Sequence, residues 1–416
     1  MSEAALREFR AQAREWLHAN STPLPRTDSA EAAWGTGSDD VSVFHNLSHD
    51  DERALLDRLR QWQRRKFEAG YGALEWPEEF GGRGLPPEFE EAFAEEERAF
   101  DTGGMHELLS VTVRLIAPTI RLLGTAEQRQ RFIGPLLSGA ELACQLFSEP
   151  GAGSDLAALG TRAVRDGDAW IVNGQKVWTS GAQFAQWGEL IARTDPDVPK
   201  HQGMTAFLVP LELPGIRVRP LRQMSGGTSF NEVFFDDVRI PDSLRLGEVG
   251  HGWQAALTTL GFERGASSAN TGVGGSCAQA MALARHTGAD RDPLLRRKLA
   301  EVIIADRLAD IARARDEQAQ RNGEPLGALG SIRKMQWVRR MSGISEFVTA
   351  ALGPRLVVDS GEWGTYAWGQ HVLGAPGYRI AGGSDEIQRN IIAERWLGLP
   401  PEPRADRGTA WRDLPR

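Results

Sequence analysis

The stretch that decides the reading is Gln145-Leu146-Phe147-Ser148-Glu149-Pro150-Gly151-Ala152-Gly153-Ser154-Asp155, with Trp178-Thr179-Ser180-Gly181 following shortly after it. Pro and two glycines let a backbone come close to a flat or phosphorylated ligand, and the hydroxyls of Ser148 and Ser154 can hydrogen-bond one. Taken alone, such a loop is more often a bare turn. Trp178 can wall one face of an aromatic ligand while Thr179 and Ser180 reach its heteroatoms; taken alone, it is more often a core Trp capped by a loop.

Around these elements the sequence has the texture of strands. Ala169–Val172 and Gln175–Trp178, joined by Asn173-Gly174, predict a tight hairpin. Runs at Met204–Leu211, Ile216–Leu221 and Glu232–Ile240 extend the pattern, predicting an antiparallel barrel or sandwich over 143–246. Residues 1–142 carry helical spacing at Ala54–Lys66, Glu88–Phe100, Leu108–Leu123 and Ala126–Leu137, and Trp76–Gly82 reads as a turn-rich connector. Beyond Gly250 the helical period returns at Gly252–Thr287, Pro293–Arg321, Ser331–Leu352 and Ser384–Leu397, predicting a four-helix bundle over 247–400 with a tail at 401–416. The expected class is α+β: an N-terminal all-helical domain, a middle β domain and a C-terminal bundle, with a crevice where the three meet.

Composition narrows the function. With 41% hydrophobic and 25% charged residues over 416 positions, the chain is an ordinary globular sequence long enough for two to three packed units. A formal charge of -8 argues against nucleic acid as a partner. Two cysteines, Cys144 and Cys277, build neither a disulfide framework nor a metal site. No run is long and apolar enough for a membrane span, and the N-terminus reads as an amphipathic helix rather than a signal peptide, so a cytoplasmic location is expected.

Together the two opening motifs resemble the acyl-CoA dehydrogenase family, whose middle domain carries TEPxAGSD and, further on, NGxKxWIT; the matching segments here are SEPGAGSD and NGQKVWTSGA. The resemblance runs nearly end to end, through WPEEFGG, FNEVFFDDVRIP and GGSDEIQRNIIAERWLGLP. It implies FAD as cofactor, with Gln145, Phe147, Ser148, Gly153 and Ser154 lining the flavin and Ser154 also near the acyl-CoA. Trp178, Thr179 and Ser180 would cover the other side of the ring, and Ser384 and Glu386 would approach it from the start of the last helix. The implied reaction is α,β-dehydrogenation of an acyl-CoA thioester: a base takes the α proton and the β hydrogen leaves as hydride to flavin N5. An electron-transfer flavoprotein is the implied acceptor. The rival activity is that of a related flavin oxidase or monooxygenase using dioxygen.

Two departures from the family pattern are informative. Many members carry the base as the Glu of YEGT, but the matching stretch is Ile380-Ala381-Gly382-Gly383, with Gly382 in the Glu position. A second pattern, as in isovaleryl- and long-chain-type members, puts the Glu on an earlier helix, where this chain has Glu263. Its helical neighbours Ala256, Leu260, Ser267 and Asn270, with Thr259, are small or apolar, and a carboxylate there is costly unless used or paired. The alternatives are a pairing with an Arg or a stripe that reaches solvent. The resemblance thus implies Glu263 as base and the Gly382 N–H as donor to the thioester oxygen, with Arg264 orienting the base or contacting the acyl-CoA.

The second departure is the missing Arg-Phe-Gly. Arg291 stands near the Arg position, between Asp290 and Asp292, which would oppose a pyrophosphate. No QxxGG segment is recognisable around Gln370 to Gly377. Such gaps occur in base-bearing chains of α2β2 complexes with a homologous partner; the other expectation is a homo-oligomer, dimer or tetramer. Residues such as Met105, Leu109 and Leu257 would set pocket depth without naming the acyl chain.

Overall fold

The computed structural model describes residues 3–24, 41–44, 46–266, 274–322, 328–358, 365–403 and 406–415. Helices α1 (Glu3–Asn20), α2 (His49–Glu68) and α3 (Pro87–Glu97) bury one apolar face each, meeting over Phe9, Leu17, Trp62, Phe89 and Phe93. Then come α4 (Glu107–Val111), a π-helical turn at Thr112–Ile116, α5 (Ala117–Leu123) and α6 (Ala126–Leu137). Pro118 has no N–H to donate, which accounts for the ladder slipping before α5. Thr112, inside that slip, bonds Leu108 O at 2.7 Å, lies 3.1 Å from Ala143 O and accepts from Ala143 N at 2.9 Å, seating the start of the sheet against α4.

The sheet has eight strands: β1 (Ala143–Leu146), β2 (Arg162–Asp166), β3 (Ala169–Ser180), β4 (Trp187–Arg193), β5 (Met204–Pro210), β6 (Ile216–Leu221), β7 (Phe230–Pro241) and β8 (Arg245–Leu246). Their order is β6-β7-β3-β2-β4-β5-β8, with β1 added on β4. The expectation of a purely antiparallel sheet is corrected at two places. β1 runs parallel to β4, and β2 meets β4 in parallel through Arg162 and Arg193. One face packs on α5, α6 and the helix after the sheet, while the other closes over Val172, Phe207, Val233 and Ile240.

The expected hairpin at Asn173-Gly174 is also corrected. Ala169–Ser180 is one continuous strand, and Asn-Gly forms a bulge between Val172↔Val238 and Gly174↔Phe235. Asn173 and Asp237 exchange two 2.9 Å hydrogen bonds across it, and the tight turn falls instead between β2 and β3. A Cβ at Gly174 would lie 2.7 Å from Thr161 Cα. Gly174→Ala is therefore expected to lower Tm, overpacking of this kind costing about 1–3 kcal/mol, and calorimetry of the two proteins checks it.

After the sheet come α7 (Gly252–Ala266), α8 (Cys277–Thr287), α9 (Pro293–Arg321), α10 (Leu329–Leu352), α11 (Thr365–Gly374) and α12 (Asp385–Arg395). The span predicted as one helix, Gly252–Thr287, is two. Gly274 and Gly275 both take φ of 79°, and Ser276 starts α8 through a capping box with Gln279. Helix α11 adds to the four expected. α9 and α10 pack antiparallel, cross-linked by Arg333–Asp316 at 2.7 Å and Arg340–Asp306 at 3.1 Å. None of the described helices is long and apolar enough to cross a membrane.

Candidate functional site

The SEPGAGSD loop is laced to the far end of β3. Val177 N donates to Ser148 O at 2.9 Å, and Lys176 Nζ reaches Phe147 O at 3.0 Å and Glu149 Oε1 at 2.8 Å. The Glu149 carboxylate also accepts from Gly160 N at 2.6 Å and Thr161 N at 2.9 Å. Burial alone would raise its pKa, but the Lys176 charge and these hydrogen bonds outweigh that and hold it below the usual value. Burial in turn pulls Lys176 down to about 8. The loop's outer end is held by Asp155 on Lys200 at 2.7 Å, and Lys200 also pairs with Asp406 at 2.6 Å.

This lacing puts the two opening motifs side by side. Trp178 sits at φ 62°, rare for a bulky residue, in the irregularity between Lys176 and Thr179, and the residue is 61% exposed. Strain that presents an aromatic face outward is a mark of a working surface. Phe147 and Thr179 are buried, Gln145 and Ser148 half-buried, and Gly153 and Ser154 exposed. A Cβ at Gly151 or Gly153 would meet nothing, so this side of the loop is open. Among the described residues, two buried polar atoms of the loop and the Trp178 segment have no protein partner: Gln145 Nε2 and Thr179 Oγ1. Such orphans are costly unless a ligand satisfies them, and an amide N–H with a hydroxyl suits the heteroatoms of a flavin ring.

A buried relay fixes the Thr179 peptide. Asn231 Nδ2 donates to Thr179 O at 3.0 Å and to Gln183, whose Nε2 lies 3.4 Å from Glu52. Glu52 lies 3.1 Å from His106 Nε2, while His106 Nδ1 accepts from Leu108 N at 3.1 Å, so Nε2 carries the donated proton. Gly181 at φ 65° brings α4 close, since a Cβ there would lie 2.8 Å from Leu108 Cβ. Glu107, at the start of α4, thereby takes a hydrogen bond from Ser180. Burial pushes the Glu107 pKa up, while the residue keeps part of its surface exposed.

An aromatic series runs from this surface toward the C-terminal helices. Trp178 meets Phe230 edge-on at 6.0 Å, Phe230 meets Phe44 at 5.2 Å, Phe44 stacks on Tyr378 at 5.2 Å, and Tyr378 touches Trp337 at 4.4 Å. Four residues past Tyr378 lies Gly382 at φ 63°, whose carbonyl accepts from Gln388 at 2.7 Å; Lys334 donates to Gly383 O. Among the described residues the Gly382 N–H has no protein acceptor. Ser384 serves as N-cap of α12, and Glu386 is exposed, 3.7 Å from Arg389. Among the described residues neither makes a hydrogen bond or ring contact with the loop or the Trp178 segment. Glu263 and Arg264 lie in the last turn of α7, but their side chains lie outside the described residues.

The sequence reading missed Glu107, Glu189, and the Lys176–Glu149 and Asn231–Gln183–Glu52–His106 pairings. Glu189 had a visible signal: a lone carboxylate inside the apolar run of Trp187–Arg193.

A mixed sheet between two helical sets, with an open glycine loop laced beside an outward-facing Trp, fits an oxidoreductase that holds a flat aromatic cofactor. The chain belongs to the acyl-CoA dehydrogenase family: models of the family's N-terminal, middle and C-terminal domains match residues 45–140, 144–238 and 250–397. It is 37% identical over 401 residues to acyl-CoA dehydrogenase IpdE1 of Mycobacterium tuberculosis, covering 95% of this chain and 98% of that one. It is 31% identical over 337 residues to the human mitochondrial short-chain specific acyl-CoA dehydrogenase, covering 79% and 80%. Among solved structures it resembles the Tcur3481-Tcur3483 steroid ACAD, with TM-score 0.73, 27% identity and 97% and 99% of the two chains covered. The ChsE4-ChsE5 complex from Mycobacterium tuberculosis gives TM-score 0.70 at 26% identity, covering 97% and 99%. The chain is an oxidoreductase of the acyl-CoA dehydrogenase type.

Proposed function

We propose that the chain carries out FAD-dependent α,β-dehydrogenation of an acyl-CoA thioester, with Glu263 as base and an electron-transfer flavoprotein in the cytoplasm as acceptor. The observation that carries the cofactor is the pair of orphaned buried groups, Gln145 Nε2 and Thr179 Oγ1, on a loop and strand laced together. Gln145, Phe147, Ser148, Gly153 and Ser154 would hold one side of FAD, and Trp178, Thr179 and Ser180 the other, with Ser384 and Glu386 at the approach from α12. When bound, FAD supplies the two-electron acceptor for the β hydrogen. Glu263 takes the α proton, and the Gly382 N–H donates to the thioester oxygen as charge gathers there. Ser154 and Arg264 contact the acyl-CoA.

A second reading, an α2β2 assembly with a homologous chain, has its own support. Two similar solved structures bear the names of two chains. In this chain Arg291 ends a 3-10 turn, exposed beside Asp290, where the family's adenine-side Arg-Phe-Gly is incomplete. One experiment weighs both readings. The purified chain is expected to be yellow and to bleach anaerobically with members of an acyl-CoA panel spanning straight, branched and ring-bearing chains. Colour that appears only on co-expression with a homologous chain supports the second reading, and rapid peroxide release in air would replace dehydrogenase by oxidase.

A further inference from the structure

Glu189 is fully buried on β4, in parallel register with Gln145 of β1 and opposite Leu208 of β5. Its two oxygens lie 2.8 and 3.0 Å from Thr259 Oγ1 of α7. Thr259 Oγ1 lies 3.0 Å from Thr119 Oγ1 of α5, and Thr119 donates to Leu115 O at 2.8 Å. One cluster thus joins α5, β4 and α7, that is, all three parts of the fold. Thr259 stands one helical turn before Glu263, on the same face.

Thr119 gives its proton to Leu115 O, and the one Thr259 proton has three acceptors in reach: Glu189, Thr119 Oγ1 and Ala255 O at 3.2 Å. An ionised carboxylate here would be fully enclosed with one hydroxyl for company, the costly arrangement. The groups facing it are the Thr259 hydroxyl, with Thr119 behind it, and its register neighbours Gln145 and Leu208. Arg114 of the π turn points to solvent, and no charged side chain among the described residues shifts Glu189.

We propose that Glu189, enclosed on β4 and bonded to Thr259 in the cluster that also holds Thr119, is a positioning residue that sets the placement of α7 and hence of the base-bearing turn at Glu263. This rests on the reading of Glu263 as base, but the placement of α7 can be measured without turnover.

Burial pushes the Glu189 pKa up to about 8. A folded-state pKa above the unfolded one means the group's contribution to stability is complete below the ordinary carboxylate range. It is lost as pH rises toward 8. Glu189→Gln keeps a donor and an acceptor but cannot ionise, so it mimics the acid at every pH.

Hydrogen–deuterium exchange of the α7 peptide in the full-length protein, corrected for intrinsic rate, reads the placement at pH 6.5 to 9. Wild-type α7 is expected to open with rising pH and Glu189→Gln to stay flat. Glu189→Leu and Thr259→Val should exchange roughly three- to tenfold faster at every pH, the size expected of one buried hydrogen bond. Thr259→Val covers the case in which Glu189→Leu fails to fold. In anaerobic stopped-flow with octanoyl-CoA or another bleaching member of the panel, Glu189→Gln should lose the alkaline fall in reduction rate without a change in KM at pH 7. An α7 peptide equally protected in Thr259→Val and wild type, or the same pH-dependent opening in Glu189→Gln, overturns the proposal. If no acyl-CoA bleaches a flavin-loaded wild type, the dehydrogenase reading fails while the placement of α7 stands.

Discussion

Glu263→Gln is expected to yield a folded, flavin-bearing protein whose anaerobic reduction by acyl-CoA is slowed about 10²- to 10⁴-fold, the range of a lost general base. The amide keeps the shape of the side chain but cannot take a proton at neutral pH, so binding should persist while reduction fails. Stopped-flow bleaching checks the rate, and a binding titration with the same acyl-CoA checks that affinity holds within a few fold. Glu263 is proposed as base because the resemblance puts a Glu on this helix, and its backbone lies in the last turn of α7. Gly382 offers no carboxylate, and its φ of 63° strains any side chain, so the loop has been built around the absence of one. Glu386 is exposed beside Arg389, and Glu189 is sealed in the core. Glu107, next to Ser180, is a carboxyl beside the Trp178 segment whose pKa burial pushes up. A Glu263→Gln enzyme that bleaches at the wild-type rate would remove Glu263 as base and make Glu107 the residue to replace next.

What was legible in the sequence was periodicity and motif. Amphipathic helices and alternating strands announce themselves because half of each element must face a core, and the SEPGAGSD and WTSG segments carry their own chemistry. The misreadings have two causes: tertiary contact overriding a local signal, and one local signal masking another. Asn173-Gly174 has the chemistry of a hairpin turn, yet β7 and Thr161 take up both sides of it and leave a bulge. The break after α7 was signalled by Gly274, Gly275 and the Ser276–Gln279 capping box, which the helical period on either side obscured. The register of β1 on β4, the Trp178–Phe230–Phe44–Tyr378 series and the Glu52–His106 pair join residues far apart in the chain, and no local pattern predicts them.

Lys176 is where structure and site depend most on a single side chain. It is fully buried, and its ammonium holds the Glu149 carboxylate and the Phe147 carbonyl at once. Replacing it with Met fills the space but leaves a largely buried carboxylate with the Gly160 and Thr161 amides and the more distant Arg193 charge. Breaking one side of a buried pair costs about 3–5 kcal/mol. Lys176→Met is therefore expected to lose many degrees in Tm and to release flavin, because the loop it tethers carries Phe147 and Ser148. The pH dependence follows from Glu149. In the wild type its pKa is depressed, so the pair's contribution is present above the ordinary carboxylate range and lost as pH falls through the lowered value. In the variant, burial without Lys176 raises that pKa and reverses the sign, so the protein should be least impaired in acid. The Tm gap between the two should widen from pH 4.5 to pH 7. Lys176→Met/Glu149→Gln removes the stranded charge and should recover much of the gap at pH 7, a double-mutant cycle that separates the pair from simple packing. A gap independent of pH, unrelieved by Glu149→Gln, would show that Lys176 acts through volume and its bond to Phe147 rather than through Glu149.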